Sequence, residues 1–547
     1  MMKNMMTSVR ARMLWLFYLC YTPSISFSPF SSSRRREPSM IYPTYEECQS
    51  FSSSYSFIPI CKTVVADTET PIRLFERVKD DPYAFLLESV EGGERWARYS
   101  MIGAEPMCVL KCKGNRVAIE DEQGRRTLDI THPMQFLKEW FSQFQAPKYA
   151  HLPPFLGGAV GYVGYEAVRF IEPTRPITHP TAETQHYDFH LMVADRLIIF
   201  DHLKQTVTFV QHLALTDGAL EEVPLSERYR RAVEELETWC VETLQGHAGG
   251  ELSFKHVLSP DSQSSEEYAN IGKEEYMELV RQAQEYIREG DIFQVVLSRK
   301  FTQPHAPDPF RVYRILRVLN PSPYMYYLRL GEEQVVGTSP ERIIRVTDRL
   351  AEICPIAGTR PRGRHEREDQ ELMDELLNDE KEIAEHVMLL DLGRNDLGRV
   401  AEYGAVRVRE RMVIEKYSHV MHLVSHLEAT LKEGVHALEA FQACFPAGTL
   451  SGAPKIRAME LIRQFEPEPR GIYGGAILYL SFTGNLDSCI AIRTIHFQDQ
   501  CATVQAGAGI VADSNPVGEY LETSHKAKGM LTALAMAKQS ESMEGLR

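Results

Sequence analysis

Residues 504–528, VQAGAGIVADSNPVGEYLETSHKAK, constrain the fold more than any other stretch, because a strand must give way to a helix within a few residues. The alternating run Ala502–Val504 reads as a strand. Gly507 and Gly509 read as its end, a turn whose bare backbone N–H groups suit an anion. Asp513-Ser514-Asn515-Pro516 then breaks the chain, and a helix opens at about Val517 with Glu519 and Glu522 on one face and Lys526 one turn further on. The spacing Gly507-x-Gly509-x-x-Ala512 also fits a dinucleotide fingerprint loosely, but that motif needs a helix at once, and the break counts against it. A solvated helix face with an i,i+4 Glu522–Lys526 pair is the plain alternative. Paired carboxylates beside a bare-backbone anion site suit magnesium, which takes oxygen ligands and usually shares them with its substrate.

The 547 residues, 44% hydrophobic, can bury one large core or two moderate ones. A net charge of −15, with no basic cluster beyond Arg34–Arg36, argues against a nucleic-acid partner. Ten cysteines scattered singly, with no CxxC pair, suggest neither a disulfide framework nor a zinc site, and a reduced compartment suits them. Residues 1–40 differ from the rest. Lys3, Arg10 and Arg12 precede the apolar run Met13–Tyr21, which has the size of a signal-peptide core and is too short to span a bilayer. The Ser- and Arg-rich SISFSPFSSSRRREPS that follows has the composition of a transit segment. This order resembles the bipartite leaders of proteins sent to plastids bounded by extra membranes, with no membrane association expected of the mature chain; a secretory signal, the mitochondrion and the cytoplasm are the alternatives.

Residues 63–212 read as short strands and turns with a few helices, forming an N-terminal domain. Within it, FLGGAVGYVGYEAVR (155–169) suits close packing between strands, since no Gly-Lys-Ser/Thr follows. Residues 213–268 form an acidic, polar linker region with one amphipathic segment around Arg228–Leu244. In 269–537, the expected catalytic domain, strand and helix signals alternate without a fixed repeat. The fold class is α+β or mixed α/β.

Several clusters in the second half carry chemistry. Ser339-Pro340-Glu341 follows a strand and puts a carboxylate on a turn or, more plainly, starts a helix. PIAGTRPRG (355–363) reads as a loop with one hydroxyl, Thr359, and two arginines fit for an anion or for a rigid surface turn. Asp379–Val400 reads as a helix with Ile383, Val387 and Leu390 at core spacing and Glu382, Glu385 and His386 around another face, where a metal or charged ligand would account for them. Tyr417–Ser425 reads as a strand aiming Met421 and Leu423 one way and His422 the other, and a structural role for His422 is equally open. FPAGTLSGAPK (445–455) starts a helix that could present its N-terminus to an anion. Thr483–Asp487 signals a hairpin between two strands carrying Tyr473 and Arg493, and the guanidinium of Arg493, set among apolar residues, should meet a carboxylate.

Together, GDIFQVVLSR, NPSPYMYYL, GTSPE, PIAGTRPRG, AEHVMLLDLGRNDLGRV, FPAGTLSGAPK and QAGAGIVADSNP…E..ET resemble the chorismate-utilising enzymes, and within them the large subunits of anthranilate synthases, over about residues 65–535. Relatives that add water to chorismate carry a lysine base where this chain has Gln294. Those that make aminodeoxychorismate carry a nucleophilic lysine in place of Ala357. The resemblance implies two domains built of antiparallel sheets in a sandwich surrounded by helices. It implies amination of chorismate by ammonia with loss of pyruvate, the first committed step of tryptophan biosynthesis. It also implies Mg²⁺ held by Glu385 and Glu522, with Glu382 and Glu519 assisting through water. Tyr473, Arg493 and the backbone at Gly507, Ala508 and Gly509 would clamp one chorismate carboxylate, with Lys526 near the other; Glu341 would be the acid, with His422 and Thr359 around the reacting ring. Glu88, Ser89, Pro323, Tyr324, Met325 and Cys489 match a tryptophan feedback site. No glutaminase elbow is found, so glutamine-derived ammonia would come from a separate amidotransferase subunit in a hetero-oligomer.

Overall fold

The computed structural model describes residues 41–89, 98–173, 175, 177–180, 185–215, 223–245, 268–417 and 420–544. The leader, residues 1–40, and most of the linker region lie outside these. Strand pairing is antiparallel throughout the named strands and builds two large sheets that each draw on both halves of the chain.

The first sheet runs Ile41–Tyr42, Phe57–Val65, Thr206–Ala214, Arg196–Asp201, Tyr99–Ala104 and Tyr83–Glu88 from the N-terminal half. It continues through Tyr324–Leu330, Glu333–Ser339, Thr494–Gln498, Cys501–Ile510, Gln294–Pro304 and Gly452–Ala453 from the C-terminal half. The junction is the ladder from Leu330↔Tyr83 to Met325↔Glu88. In the second sheet, Ala476–Ser481 pairs with Gly158–Val163 and so joins the C-terminal strands to Phe189–Ala194, Cys108–Lys113 and the Arg116–Asp121 hairpin. The cores follow the sheets: one apolar cluster joins Phe189 and Leu191 to Leu478, Leu480 and Leu438, and another joins Ile58 and Phe209 to Phe301 and Met325. Buried apolar area is continuous across the 213–268 boundary, and within that boundary the helix Leu225–Gln245 packs its Ala232, Leu236 and Cys240 against the first sheet.

Two helices face the site. Pro516–Glu544 buries Tyr520, Thr523, Ala527, Met530 and Leu534, a 3–4 spacing that seats it on the strand Cys501–Ile510 and leaves Glu519, Glu522 and Lys526 off the core stripe. Glu380–Val400 starts at Asp379, whose carboxylate accepts from the N–H groups of Lys381 and Glu382, a cap that satisfies two otherwise orphan donors. Its buried stripe is His386, Leu389, Leu390, Gly393 and Leu397, while Val387 is 40% exposed. The expected core spacing through Val387 is therefore rotated toward His386, because the strand Val420–Thr430 offers that histidine a partner: His386 Nε2 lies 2.6 Å from Ser425 Oγ.

Candidate active site

Gly507 and Gly509 lie inside the strand Cys501–Ile510, paired with Ser298 and Val296, not in a turn at its end. Their function in packing is close approach. A Cβ on Gly507 would stand 2.7 Å from the Tyr473 hydroxyl, and one on Gly509 would stand 2.6 Å from Gln294 Nε2. Only glycine lets those two side chains lie against this strand. Ala508, between them, pairs with Leu297 and points into the core. The helix opens at Pro516, as the Asp-Ser-Asn-Pro break predicts, and one turn later presents Glu519, Glu522 and Lys526. Lys526 Nζ donates to the Gly507 carbonyl at 3.0 Å and lies 2.6 Å from Glu522 Oε1.

Glu341 sits in the short link between the strands Glu333–Ser339 and Arg342–Thr347. It accepts a 2.9 Å hydrogen bond from Thr449 Oγ1 in the helix Gly448–Ser451 and lines a small cavity with Asp396, Gly448 and Leu392. Burial, reinforced by the charge of Glu385 and opposed by Thr449 and Lys526, pushes its carboxyl up to about 7. Glu385, on the facing helix, accepts from Gln294 Nε2 at 3.4 Å. Its carboxyl is also raised, by burial first and then by Glu382. Glu519 is raised by burial and by Glu522. Carboxylates crowded with like charges in a partly desolvated cleft favour a bound cation, and a donor set made only of oxygens fits a hard one. The oxygens do not yet converge: among the described residues no three of these carboxylates bring ligand atoms within 4.8 Å of one another. Glu382 is also engaged by Arg360, at 3.4 Å.

Tyr473 and Arg493 lie off the strands expected to carry them. Tyr473 is in the turn before Ala476–Ser481, and Arg493 is in the break where the chain leaves the second sheet at Ile490 and enters the first at Thr494. The hairpin at Thr483–Asp487 is present, but its second strand stops at Ile490. Arg493 holds a φ of +50°, sparsely populated for a side chain of its size. The carboxylate expected for it is missing: its guanidinium donates to the Lys526 carbonyl, and no ion pair joins it to a described residue. Burial depresses its pKa, with Tyr473 and Glu522 acting the other way. A desolvated guanidinium without a carboxylate is set to receive an anionic ligand.

PIAGTRPRG is not a loop. Ile356–Pro361 is a strand paired with Val420–Thr430, which sets Thr359 opposite His422 with Oγ1 and Nδ1 3.0 Å apart. Met421 and Leu423 point inward and His422 outward, as alternation predicts. The two arginines are not free for an anion. Arg360 pairs with Glu375 and Asp379 as well as Glu382, and Arg362 pairs with Asp369 at 2.6 Å.

Residues 83–532 match the family described as chorismate binding enzyme. The anthranilate synthase component 1 of Acetivibrio thermocellus is 46% identical over 500 residues, which cover 91% of this chain and 99% of that protein. The Synechocystis component 1 is 44% identical over 509 residues, 90% of this chain and 99% of its own length. The chain belongs to the chorismate-binding enzyme family. The crystal structure of anthranilate synthase component I from Streptococcus pneumoniae covers 86% of the chain and is itself covered to 98%, with a TM-score of 0.65 and 36% identity. The menaquinone-specific isochorismate synthase of Escherichia coli shares the fold at 18% identity, a TM-score of 0.63, and coverage of 90% of this chain and 98% of that one.

Of the residues matched to a tryptophan site, Glu88 and Met325 lie where the two halves of the first sheet join. Glu88 stands opposite Met325 and is buried among Ser100, Tyr313 and Arg317, with Tyr313 Oη 2.5 Å away and Arg317 Nε 3.0 Å away. Ser89 follows it, with Oγ buried and unpartnered among the described residues. Pro323 and Tyr324 line a separate small cavity with Arg342 and Cys354, and Cys489 is buried on the second sheet opposite Arg342. Two residues of the cleft were not singled out as its partners from sequence. Thr449 carries the hydrogen bond to Glu341, and its only signal was the hydroxyl-rich FPAGTLSG turn. Gln294, read as a selectivity position, holds Glu385 and leaves its buried Oε1 without a partner among the described residues.

Proposed function

We propose that this chain is the chorismate-aminating component of an anthranilate synthase, a lyase that converts chorismate and ammonia to anthranilate, pyruvate and water. The observation that carries the reading is Glu341, poised near neutrality beside Lys526 and Glu385 in a cleft where Gln294 and Ala357 stand at the two positions that relatives of other activity fill with lysine. Glutamine cannot deprotonate water, whereas ammonia needs no base to attack; the unpartnered Gln294 Oε1 is an acceptor suited to one of its N–H groups. As ammonia attacks C2, Glu341 gives its proton to the C4 hydroxyl, which leaves as water. A base then takes the C2 proton as the C3–O bond breaks, which gives the ring its third double bond, and the departing enolpyruvate takes up a proton at its methylene carbon to become pyruvate. Arg493 and Tyr473 hold one substrate carboxylate, and Lys526 lies near the ring carboxylate. Glu385 and Glu522 would hold Mg²⁺, which supplies charge neutralisation at that ring carboxylate.

Three further parts belong to the same reading. Tryptophan inhibits by binding near Glu88 and Ser89. Glutamine serves only through a separate amidotransferase subunit, as the component 1 naming of the relatives supports. The leader directs the chain to a plastid. The test is fluorescence of the product formed from chorismate, Mg²⁺ and ammonium by the chain lacking residues 1–40. Anthranilate and pyruvate should appear in equal amounts, and Glu341→Gln should lower the rate by at least about 100-fold. Chorismate consumed without anthranilate would replace this reading with an isochorismate or aminodeoxychorismate activity.

A further inference from the structure

Away from the cleft, where the two sheets face each other, lies a second group of side chains with ligand chemistry. Glu333 opens the strand Glu333–Ser339, and His496 sits on the neighbouring strand Thr494–Gln498 with its Nε2 3.0 Å from Glu333 Oε2. His186 arrives just before the strand Phe189–Ala194 of the other sheet, its ring edge-on to His496 with centroids 4.8 Å apart. One ligand atom from each of His186, Glu333 and His496 lies within 4.8 Å of the others. The carboxylate is further oriented by His190 Nδ1 at 2.5 Å and by the Tyr162 hydroxyl at 3.0 Å, the kind of outer hydrogen bonding that fixes metal-binding carboxylates.

His186 is the member without a structural account. Its Nδ1 is buried with no hydrogen-bond partner, a costly state for an imidazole nitrogen, and the ring makes no hydrogen bond among the described residues. Burial, with His496 adding to it, keeps the ring neutral, its pKa held down to about 3. The cations that bear on it are Lys113 and Lys300, and Lys300 is held by Glu468 at 2.8 Å.

We propose that His186, Glu333 and His496 form a binding site for a divalent cation of the zinc class, clamping the two sheets together independently of the chorismate cleft. Two imidazoles and one carboxylate make a donor set that suits zinc, whereas magnesium takes oxygens. Donor atoms on a tetrahedral zinc ion stand about 3.4 Å apart. Glu333 and His496, now 3.0 Å apart as a hydrogen-bonded pair, would open by a few tenths of an ångström as the metal replaces the shared proton, and His186 already brings a ligand atom within 4.8 Å of both. A fourth position would be left for water.

The test uses the full chain without a polyhistidine tag, stripped by chelator, equilibrated with Zn²⁺ in excess Mg²⁺ and dialysed before metal analysis. Wild type should retain one equivalent and melt several degrees higher than the stripped protein. Cobalt in place of zinc should give the visible absorption of a four-coordinate nitrogen–oxygen site. His186→Ala should lose the metal, the absorption and the stabilisation, and circular dichroism reports whether it folds; Glu385→Gln, in the chorismate cleft, should keep all three. Failure of wild type to retain zinc, or equal retention by a folded His186→Ala, overturns the proposal.

Discussion

Glu341 is half-buried, and in the proposed reaction it must give up a proton, so its environment sets both its activity and its cost. Its carboxyl titrates near 7 in the fold against an ordinary value of 4.5. An acid that must be protonated loses function as pH rises, so kcat/KM, expressed per free ammonia, should fall through about pH 7. The same shift has a stability consequence of definite sign. A carboxyl raised in the native state binds its proton more tightly there than in the unfolded chain. It therefore contributes most below pH 4.5, and that contribution is lost as pH rises toward 7. At pH 8, Glu341→Gln should be more stable than wild type by about 1 to 2 kcal/mol, for a carboxyl still partly open to solvent, with the difference shrinking by pH 5. Thermal melts at the two pH values check this; a variant no more stable at pH 8 would mean the carboxyl is not strained. Glu341 itself was legible in the motif GTSPE. Its partner Thr449 was not, since it lies far along the chain and a hydroxyl carries no local sign of what it will bond. His386 was misread for a related reason: helical spacing alone left either face a candidate core, and Ser425 decided it from another element.

Elements bring the acids together, and they set which of them are free. Glu385 projects from Glu380–Val400 toward Gln294, whereas Glu382 is drawn to Arg360, which also holds Glu375 and Asp379. On the proposed Mg²⁺ site, Glu385→Gln should therefore raise the Mg²⁺ concentration for half-maximal activity by more than about 10-fold, and Glu382→Gln by less than about 3-fold, since a carboxylate free to ligate the ion counts for more than one already paired. Equal effects would place both in direct contact with the ion. A second element-scale expectation concerns the end of Tyr83–Glu88. Among the described residues the Ser89 hydroxyl is buried and unpartnered beside the Glu88–Tyr313–Arg317 network, so on the proposed tryptophan site Ser89→Leu should weaken inhibition by tryptophan by about 10-fold or more while leaving kcat within about 2-fold. Unchanged inhibition would remove this strand end from the proposed tryptophan site, and no inhibition at all would remove the site. The helices carrying these residues were readable from periodicity and caps, but PIAGTRPRG was not readable as a strand. Its Pro, Gly and Arg content signals a turn locally, and only the long-range ladder to Val420–Thr430 makes it extended.

At the scale of the whole molecule, alternating strand and helix signals pointed to a mixed helix-and-sheet fold and the family resemblance to antiparallel sheets, but the way the halves share their sheets was in neither. Nothing in a single strand's pattern says whether its partner is near or far in sequence. The first sheet is continuous through the ladder between Tyr83–Glu88 and Tyr324–Leu330, and the second through the ladder between Gly158–Val163 and Ala476–Ser481. A fragment spanning 268–547 would therefore expose two central strand edges, and with them the apolar faces of Met325, Tyr327, Leu478 and Leu480, which now pack against the N-terminal half. Open edges of that kind recruit other chains. Made alone, the fragment should be insoluble or lack cooperative unfolding, although it holds Glu341, Glu385, Glu522 and Arg493. Co-expressed with residues 41–245, it should recover a single cooperative melt and ammonia-dependent activity, because the two pieces restore both ladders. A soluble, cooperatively folding 268–547 fragment would mean that the helices around the C-terminal strands suffice to hold them, and that the N-terminal half is an addition to the chorismate cleft rather than part of its frame.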